Sequence, residues 1–139
     1  MRRVRLFSAV LGLATLTMAT TAMAAAGYTC TFPSGTVNTF ENEVYQAAPA
    51  SPLAFEIGDV DLPRQKAALV TPKGKGELKI VRAIGANHFL EVITEGFLNI
   101  TTIYESPAAD GSLPAAHSRH FGLLGQPVVS QYHGTCKRK

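Results

Sequence analysis

Residues 76–104 read GELKIVRAIGANHFLEVITEGFLNITTIY, and this stretch decides the fold. It contains three runs in which apolar and polar residues alternate, separated by GAN (85–87) and EG (95–96). Alternation with period two in segments rich in β-branched and aromatic residues indicates β-strands. Short glycine-containing connections of this kind join antiparallel hairpin partners. The stretch therefore predicts three consecutive antiparallel strands.

The alternation also predicts which side chains lie together. On a strand, residues two apart lie on the same face of the sheet. The residues expected to share a face, run by run, are Leu78 with Ile80 and Ile84, Leu90 with Val92, and Leu98 with Ile100, Thr102 and Tyr104.

The same strand pattern continues on both sides of this stretch. LAFEI (53–57) and KAALVT (66–71) precede it, while AAHSRHF (115–121) and PVVSQYHGTC (127–136) follow it. Strands spaced about ten residues apart and joined by turns predict an all-β fold, a small antiparallel meander closing into a barrel or sandwich. FENEVYQAA (40–48) is the exception, because it is compatible with a short helix that the following prolines would end.

The chain begins with the pattern of a bacterial secretory signal. Three arginines lie within the first five residues, an apolar stretch covers about residues 6–16, and AMA (22–24) provides the small residues that signal peptidase recognises. The apolar stretch is shorter than the roughly 20 residues that a membrane-spanning helix needs. A cleaved signal is therefore favoured over a membrane anchor.

This pattern predicts the domain organisation and the compartment. A signal peptide covers residues 1–24, with cleavage after Ala24 or after Ala26, and a single β-barrel domain covers 25–139. The mature protein is expected to be periplasmic or secreted, with no transmembrane segment after signal cleavage.

The charge of the mature chain argues against nucleic-acid binding. The whole chain has 13 basic and 10 acidic residues, but three of the arginines and none of the acids lie in the predicted signal. The remainder is therefore formally neutral. Because binding to a phosphate backbone depends on a net basic face, we expect no nucleic-acid partner.

Two cysteines remain in the mature chain, Cys30 near its start and Cys136 near its end. In an oxidising compartment an even number of cysteines at such positions indicates a disulfide bond. The two Cα atoms must then lie within about 7 Å of each other. The first and last strands are thus predicted to be neighbours, so that the sheet curls back on itself.

The motif AAHSRHF raises the questions of a metal site and of a hydrolytic site. On a helix, His117 and His120 would share a face and could bind one zinc ion. On a strand they point in opposite directions. Ser118 lacks the glycine-flanked turn that exposes a hydrolase nucleophile. We therefore assign no metal ligand, no cofactor and no catalytic residue.

Two interpretations of this motif remain. In the structural one, Arg119 forms a two-pronged ion pair with Glu91 or Glu95 and stabilises the barrel. In the functional one, polar and aromatic side chains on adjacent strands form a recognition surface or line a pocket in the barrel mouth. The candidate binding residues are Thr102, His117, Arg119, His120, Gln131 and His133.

The chain ends carry a resemblance to a known family. Tyr28-Thr29-Cys30 near the mature start and Gly134-Thr135-Cys136 near the end resemble the layout of periplasmic inhibitors of c-type lysozyme. The layout is also similar to that of other small secreted bacterial β-barrel proteins. The resemblance covers the ends and the fold class, and implies a barrel that acts by binding; no inhibitory residue is carried over from it.

These observations favour a secreted, periplasmic binding or inhibitor-like β-barrel without catalytic activity. Its partner would be a protein or a small-molecule ligand of the cell envelope. Two other hypotheses are kept: a small hydrolase or metal-dependent enzyme that uses His117 or His120, and an envelope-associated structural protein.

Overall fold

The computed structural model describes residues 26–93, 96–123 and 125–139, so the predicted signal peptide lies outside the described part. Every regular element within the described part is a β-strand, which confirms the all-β prediction. No helix in the described ranges is long and apolar enough to cross a membrane. The strands are β1 (Tyr28–Glu41), β2 (Val44–Pro49), β3 (Leu53–Asp61), β4 (Lys66–Thr71), β5 (Gly74–Ala83), β6 (Ala86–Ile93), β7 (Phe97–Tyr104), β8 (Leu113–Leu123) and β9 (Gln126–Arg138).

The strands form a closed antiparallel barrel. From β3 to β9 each strand pairs with the next one along the chain. Strand β1 pairs with β3 on one side and with β9 on the other, which closes eight strands into a barrel. Strand β2 lies outside this ring and pairs with the second half of β1. Of the two predicted alternatives, the barrel is therefore the one that forms.

The helix considered at 40–48 is wrong, because this segment is a β-hairpin. Asn42 and Glu43 have φ angles of 50° and 65°, which are the left-handed values of a two-residue hairpin turn. The turn pairs Phe40 with Tyr45, and their rings lie 5.0 Å apart between centroids. A helix of nine residues gains few backbone hydrogen bonds against its nucleation cost, whereas the hairpin extends a sheet that already exists.

The predicted disulfide bond closes the barrel. Cys30 on β1 is paired directly with Cys136 on β9, and their Cα atoms lie 4.0 Å apart. The first and last strands are thus neighbours, as predicted. The register shifts between Thr31 and Ser34, where β1 bulges before pairing resumes at Ser34 with His133. This bulge lets β1 continue along β9 toward the β1–β2 hairpin.

The interior is filled mainly by aromatic and branched aliphatic side chains. Full burial of such side chains supplies most of the favourable free energy of folding. The largest side chains that are almost fully buried are Phe32, Ile57, Ile80, Phe89, Ile103 and Leu113.

The alternation predicted for β6 and β7 is present, but the face that carries Leu90, Leu98 and Ile100 is the outer one, and the opposite face, which includes Glu91, Asn99 and Thr101, is the inner one. Phe89, Thr101 and Ile103 are buried, whereas Leu90 and Ile100 are half-buried on the outer surface. In β5 the predicted face is the inner one, where Leu78 and Ile80 are buried, while Ile84 lies exposed in the following turn. Two neighbouring strands therefore bring polar groups into the barrel.

Candidate functional site

Strand β8 divides the motif AAHSRHF between the two faces of the barrel wall. His117 is buried and Arg119 is half-buried on the inner face, whereas Ser118 and His120 belong to the outer face. The two histidines point away from each other, because residues three apart on a strand lie on opposite faces. They cannot bind one metal ion or act on one substrate.

The other candidate residues also lie on the outer surface. Gln131 and His133 are exposed on β9, and Thr102 is half-buried on β7, where its hydroxyl group is 2.9 Å from Nδ1 of His88. Of the six candidate binding residues, the structure thus brings only His117 and Arg119 together inside the barrel.

His117 lies in an aromatic and polar environment at the centre of the wall. Its neighbours in the paired strands are Thr101 on β7 and Tyr132 on β9. The imidazole contacts the ring of Phe55 at 5.2 Å and that of Phe32 at 5.8 Å between centroids. The side chain is therefore packed among rings on one side and hydrogen-bonded on the other.

The hydrogen bonds of His117 define its tautomer. Nε of Arg119 donates to Nε2 of His117 at 3.2 Å, so Nε2 carries a lone pair. Nδ1 then carries the proton and donates to the hydroxyl oxygen of Thr101 at 2.8 Å. The imidazole is neutral in this arrangement, and both of its nitrogen atoms are occupied.

Burial is the main reason why the pKa of His117 falls from 6.5 to about 4, and the positive charge of Arg119 lowers it further. The imidazole therefore stays neutral at neutral pH. A general base works best when its pKa lies near the operating pH, and this one lies well below. His117 is placed to hold Arg119 in position instead.

This pKa predicts an acid-sensitive fold. Between pH 6.5 and about 4 the unfolded chain binds a proton at this histidine that the folded chain excludes, so stability falls as the pH is lowered through that window. The shift corresponds to about 3 kcal/mol in the free energy of unfolding. Urea unfolding at pH 7 and at pH 4.5 should show a smaller loss in His117→Gln than in the wild type.

The matched control for this measurement is His120→Gln, which removes an exposed histidine from the same strand. This variant should keep the pH dependence of the wild type. If His117→Gln and the wild type lose equal stability on acidification, the buried neutral imidazole is not the cause.

A cavity of about 90 Å³ opens beside this histidine, toward the barrel end at which β4, β6 and β8 finish. A volume of this size holds several water molecules or part of a small ligand. Its apolar wall is formed by Leu53, Phe55, Leu69, Leu78 and Phe89. Its polar groups are Thr71, Glu91, Asn99, Thr101, His117 and Arg119.

Most of these polar groups lie in two neighbouring rows across β6, β7 and β8. Glu91 on β6 pairs with Asn99 on β7, which pairs with Arg119 on β8. Nδ2 of Asn99 donates to Oε2 of Glu91 at 2.7 Å. This row crosses the wall immediately beside that of Thr101 and His117, so polar groups converge where the cavity opens.

The structure does not contain the predicted ion pair between Arg119 and Glu91, because no nitrogen of Arg119 lies within 4.0 Å of an acidic oxygen in the described ranges. Glu95, the other predicted partner, lies outside the described residues. Glu91 is instead held by Asn99, its direct neighbour across the pair of strands. Directly paired residues on neighbouring strands lie closest together, which favours the contact of Glu91 with Asn99 over one with Arg119, a strand further away.

Arg119 is held by its Nε atom and by an aromatic ring. Its guanidinium carbon lies 5.6 Å from the centre of the Tyr132 ring, a cation–π distance. Tyr132 is paired with Gly35 on β1, where a side chain would come within 2.6 Å of the tyrosine ring. Because glycine has no side chain, the Tyr132 ring can lie directly against the backbone of β1 at this position.

The six candidate binding residues predicted from the sequence did not include Glu91, Asn99 or Thr101, and Glu91 was considered only as an ion-pair partner of Arg119. All three lie on the inner faces of β6 and β7, where the more apolar face turned outward. The register of these strands with β8 would have identified them, because Asn99 and Thr101 face Arg119 and His117 directly.

A scan of the chain against protein-family models matches no family, and a search of curated proteins finds no significant match.

Proposed function

We propose that the protein is an exported binding protein that captures a small, partly apolar ligand in the cavity at its barrel mouth. The observation that carries this proposal is the convergence of an apolar wall and a few oriented polar groups in one cavity. Small-molecule sites have this composition, in which apolar surface provides affinity and fixed polar groups provide orientation. Phe55 and Phe89 would contact the apolar part of the ligand, and Arg119 its polar part.

The hydrogen bonds around His117 favour binding over hydrolysis. A catalytic histidine accepts a proton from its nucleophile through a free ring nitrogen. Here Nε2 is occupied by Arg119, and Nδ1 donates to Thr101 rather than accepting from it. This pair therefore supports a positioning role for His117. It does not support the hydrolase hypothesis that was built on His117 and His120.

The exported location is supported by two independent features. The first 24 residues have the composition of a secretory signal. The disulfide bond between Cys30 and Cys136 is of a type that persists in oxidising compartments and is rare in the cytosol. A binding role in the cell envelope is consistent with both.

The resemblance to c-type lysozyme inhibitors concerns residues of β1 and β9. We call this pair of strands, which closes the barrel, the barrel seam. Cys30 and Cys136 are the bridge, and Gly134 lies beside it. These positions support a shared architecture. A lysozyme inhibition assay tests whether the protein binds lysozyme as well as a small ligand. A small ligand in the cavity should relieve the inhibition only if the barrel mouth is the surface that contacts lysozyme.

The cavity should bind a neutral aromatic probe. We expect benzyl alcohol to raise the melting temperature saturably, by several degrees at concentrations well above its Kd. In Leu69→Trp the larger ring should occupy the cavity and abolish the shift. The measurement is a thermal-shift titration at pH 7.

The control is Val70→Trp, in which the same change is made at the next residue of β4, outside this cavity. This variant should retain the shift. The proposed function fails if benzyl alcohol gives no saturable shift with the wild type, or if Leu69→Trp responds as strongly as the wild type does.

A further inference from the structure

We propose that the ligand of the mouth cavity carries a single carboxylate group, which the two terminal nitrogens of Arg119 bind as a pair. This inference rests on the proposed function and names the chemical class of its ligand. It follows from how Arg119 is oriented, from which of its donors have no partner among the described residues, and from the lack of a carboxylate close to it in those residues.

The orientation of Arg119 is determined before any ligand arrives. Its Nε donates to His117, and its guanidinium plane lies near the ring of Tyr132. His117 is in turn fixed by Thr101. A guanidinium group held in this way loses little conformational entropy when it binds, which is the advantage of preorganisation.

The free donors of Arg119 are the terminal pair. In the described ranges its only side-chain hydrogen bond is the one from Nε to His117. No buried side-chain nitrogen or oxygen lacks a hydrogen-bond partner in the described ranges, which agrees with terminal nitrogens that are open to the cavity or to the solvent. Two parallel N–H groups at the end of a guanidinium group match the two oxygens of a carboxylate.

The immediate surroundings of Arg119 favour an anion beside its guanidinium group. Arg119 is half-buried, and a partly desolvated cation without an anionic partner is unfavourable. Among the described residues no carboxylate lies within 4.0 Å of it. A carboxylate on the ligand would supply this partner.

Glu91 limits the ligand to one negative charge. It lines the same cavity, and its carboxylate is held there by Asn99. A second negative charge on the ligand would be repelled by it, as would a phosphate or a dicarboxylate. The apolar wall of Phe55, Leu78 and Phe89 selects an apolar body behind the carboxylate.

The test compares three probes of nearly equal size: benzoate, benzyl alcohol and benzylammonium. Calorimetric titrations at pH 7 and physiological salt should show benzoate binding about 10- to 100-fold more tightly than benzyl alcohol. Arg119→Gln should remove this preference, so that benzoate binds no more tightly than benzyl alcohol does. Arg119→Lys should restore part of the preference, because lysine keeps the charge but cannot form the paired contact.

The matched control is Arg82→Gln, in which an exposed arginine of β5 is replaced. It should bind all three probes as the wild type does. The circular dichroism spectrum and the urea midpoint of each variant show whether its barrel is intact, and Arg119→Lys serves in place of Arg119→Gln if the latter does not fold.

The outcomes separate this inference from the proposed function. If benzyl alcohol binds but benzoate binds no better, the carboxylate assignment is wrong and the cavity remains a binding site. If benzylammonium binds best, Glu91 rather than Arg119 selects the ligand, which also overturns the assignment. If none of the three binds, the proposed function fails together with this inference.

Discussion

Removal of the disulfide bond in the double variant Cys30→Ala/Cys136→Ala is expected to lower the free energy of unfolding by about 4–5 kcal/mol. The bond joins residues that are 106 positions apart, so it closes nearly the whole folded chain into one loop. Without it, the unfolded chain gains the conformational entropy of an open polymer. Since small domains are stable by only about 5–15 kcal/mol, this loss brings the protein close to its unfolding threshold.

The measurement is urea unfolding of the wild type and the double variant, each with and without dithiothreitol. The reductant should destabilise the wild type by about as much as the double substitution does. The double variant is its own control, because it has no bond to reduce and should not respond. A wild type that loses less than about 1 kcal/mol on reduction would contradict this account of barrel closure.

Much of the barrel could be predicted because its strands carry a strong local signal. The short apolar run KAALVT (66–71) and the alternating run FLNITTIY (97–104) form strands with the bounds that these patterns and the flanking turns suggested. The neighbouring position of the first and last strands followed from Cys30 and Cys136, because a disulfide bond imposes a distance that no local pattern carries.

Strands β1 and β2 could not be predicted in the same way, because their stability comes from pairing rather than from alternation. Strand β1 bulges between Thr31 and Ser34, which interrupts the period of two. All six residues of β2 (44–49) are exposed, so this strand has no buried face for a pattern to reveal. Its hairpin depends on left-handed backbone angles at Asn42 and Glu43, and glutamate is an uncommon residue at such a position.

The site was only half predictable for a related reason. That His117 and Arg119 share a face follows from strand alternation alone. Which face of β6 and β7 turns inward depends on the closure of the whole barrel, and each of these strands has apolar residues on both faces. Glu91 and Asn99 therefore line the cavity although they belong to the less apolar faces of their strands, while Thr102 and His120 lie on the outer surface.

Among alanine substitutions at the described glycines, Gly134→Ala is expected to have the largest effect on folding. Gly134 lies on β9 between Thr135, which pairs with Thr31, and His133, which pairs with Ser34, and therefore faces the bulge of β1. A Cβ atom at this position would overlap the carbonyl oxygen of Thr31 and lie 2.8 Å from Cα of Phe32. Both are backbone atoms, so no side-chain rotation can relieve the overlap.

The backbone around Gly134 cannot easily move away, because the barrel seam is fixed on both sides. The bond between Cys30 and Cys136 holds one side, and the pairing of Ser34 with His133 begins the other. We therefore expect Gly134→Ala to lower the free energy of unfolding by about 3 kcal/mol or more, the upper range for overpacking. Urea unfolding at pH 7 measures this loss.

The matched control is Gly122→Ala on β8, where the nearest atom to the added Cβ would be 3.9 Å away, an ordinary contact distance. Its free energy of unfolding should stay within about 1 kcal/mol of the wild type, because alanine there adds little strain and restricts the unfolded chain. Equal stability of the two variants would mean that β1 and β9 do not approach closely at the bulge. In that case the seam beside the disulfide bond would have to differ from the one described.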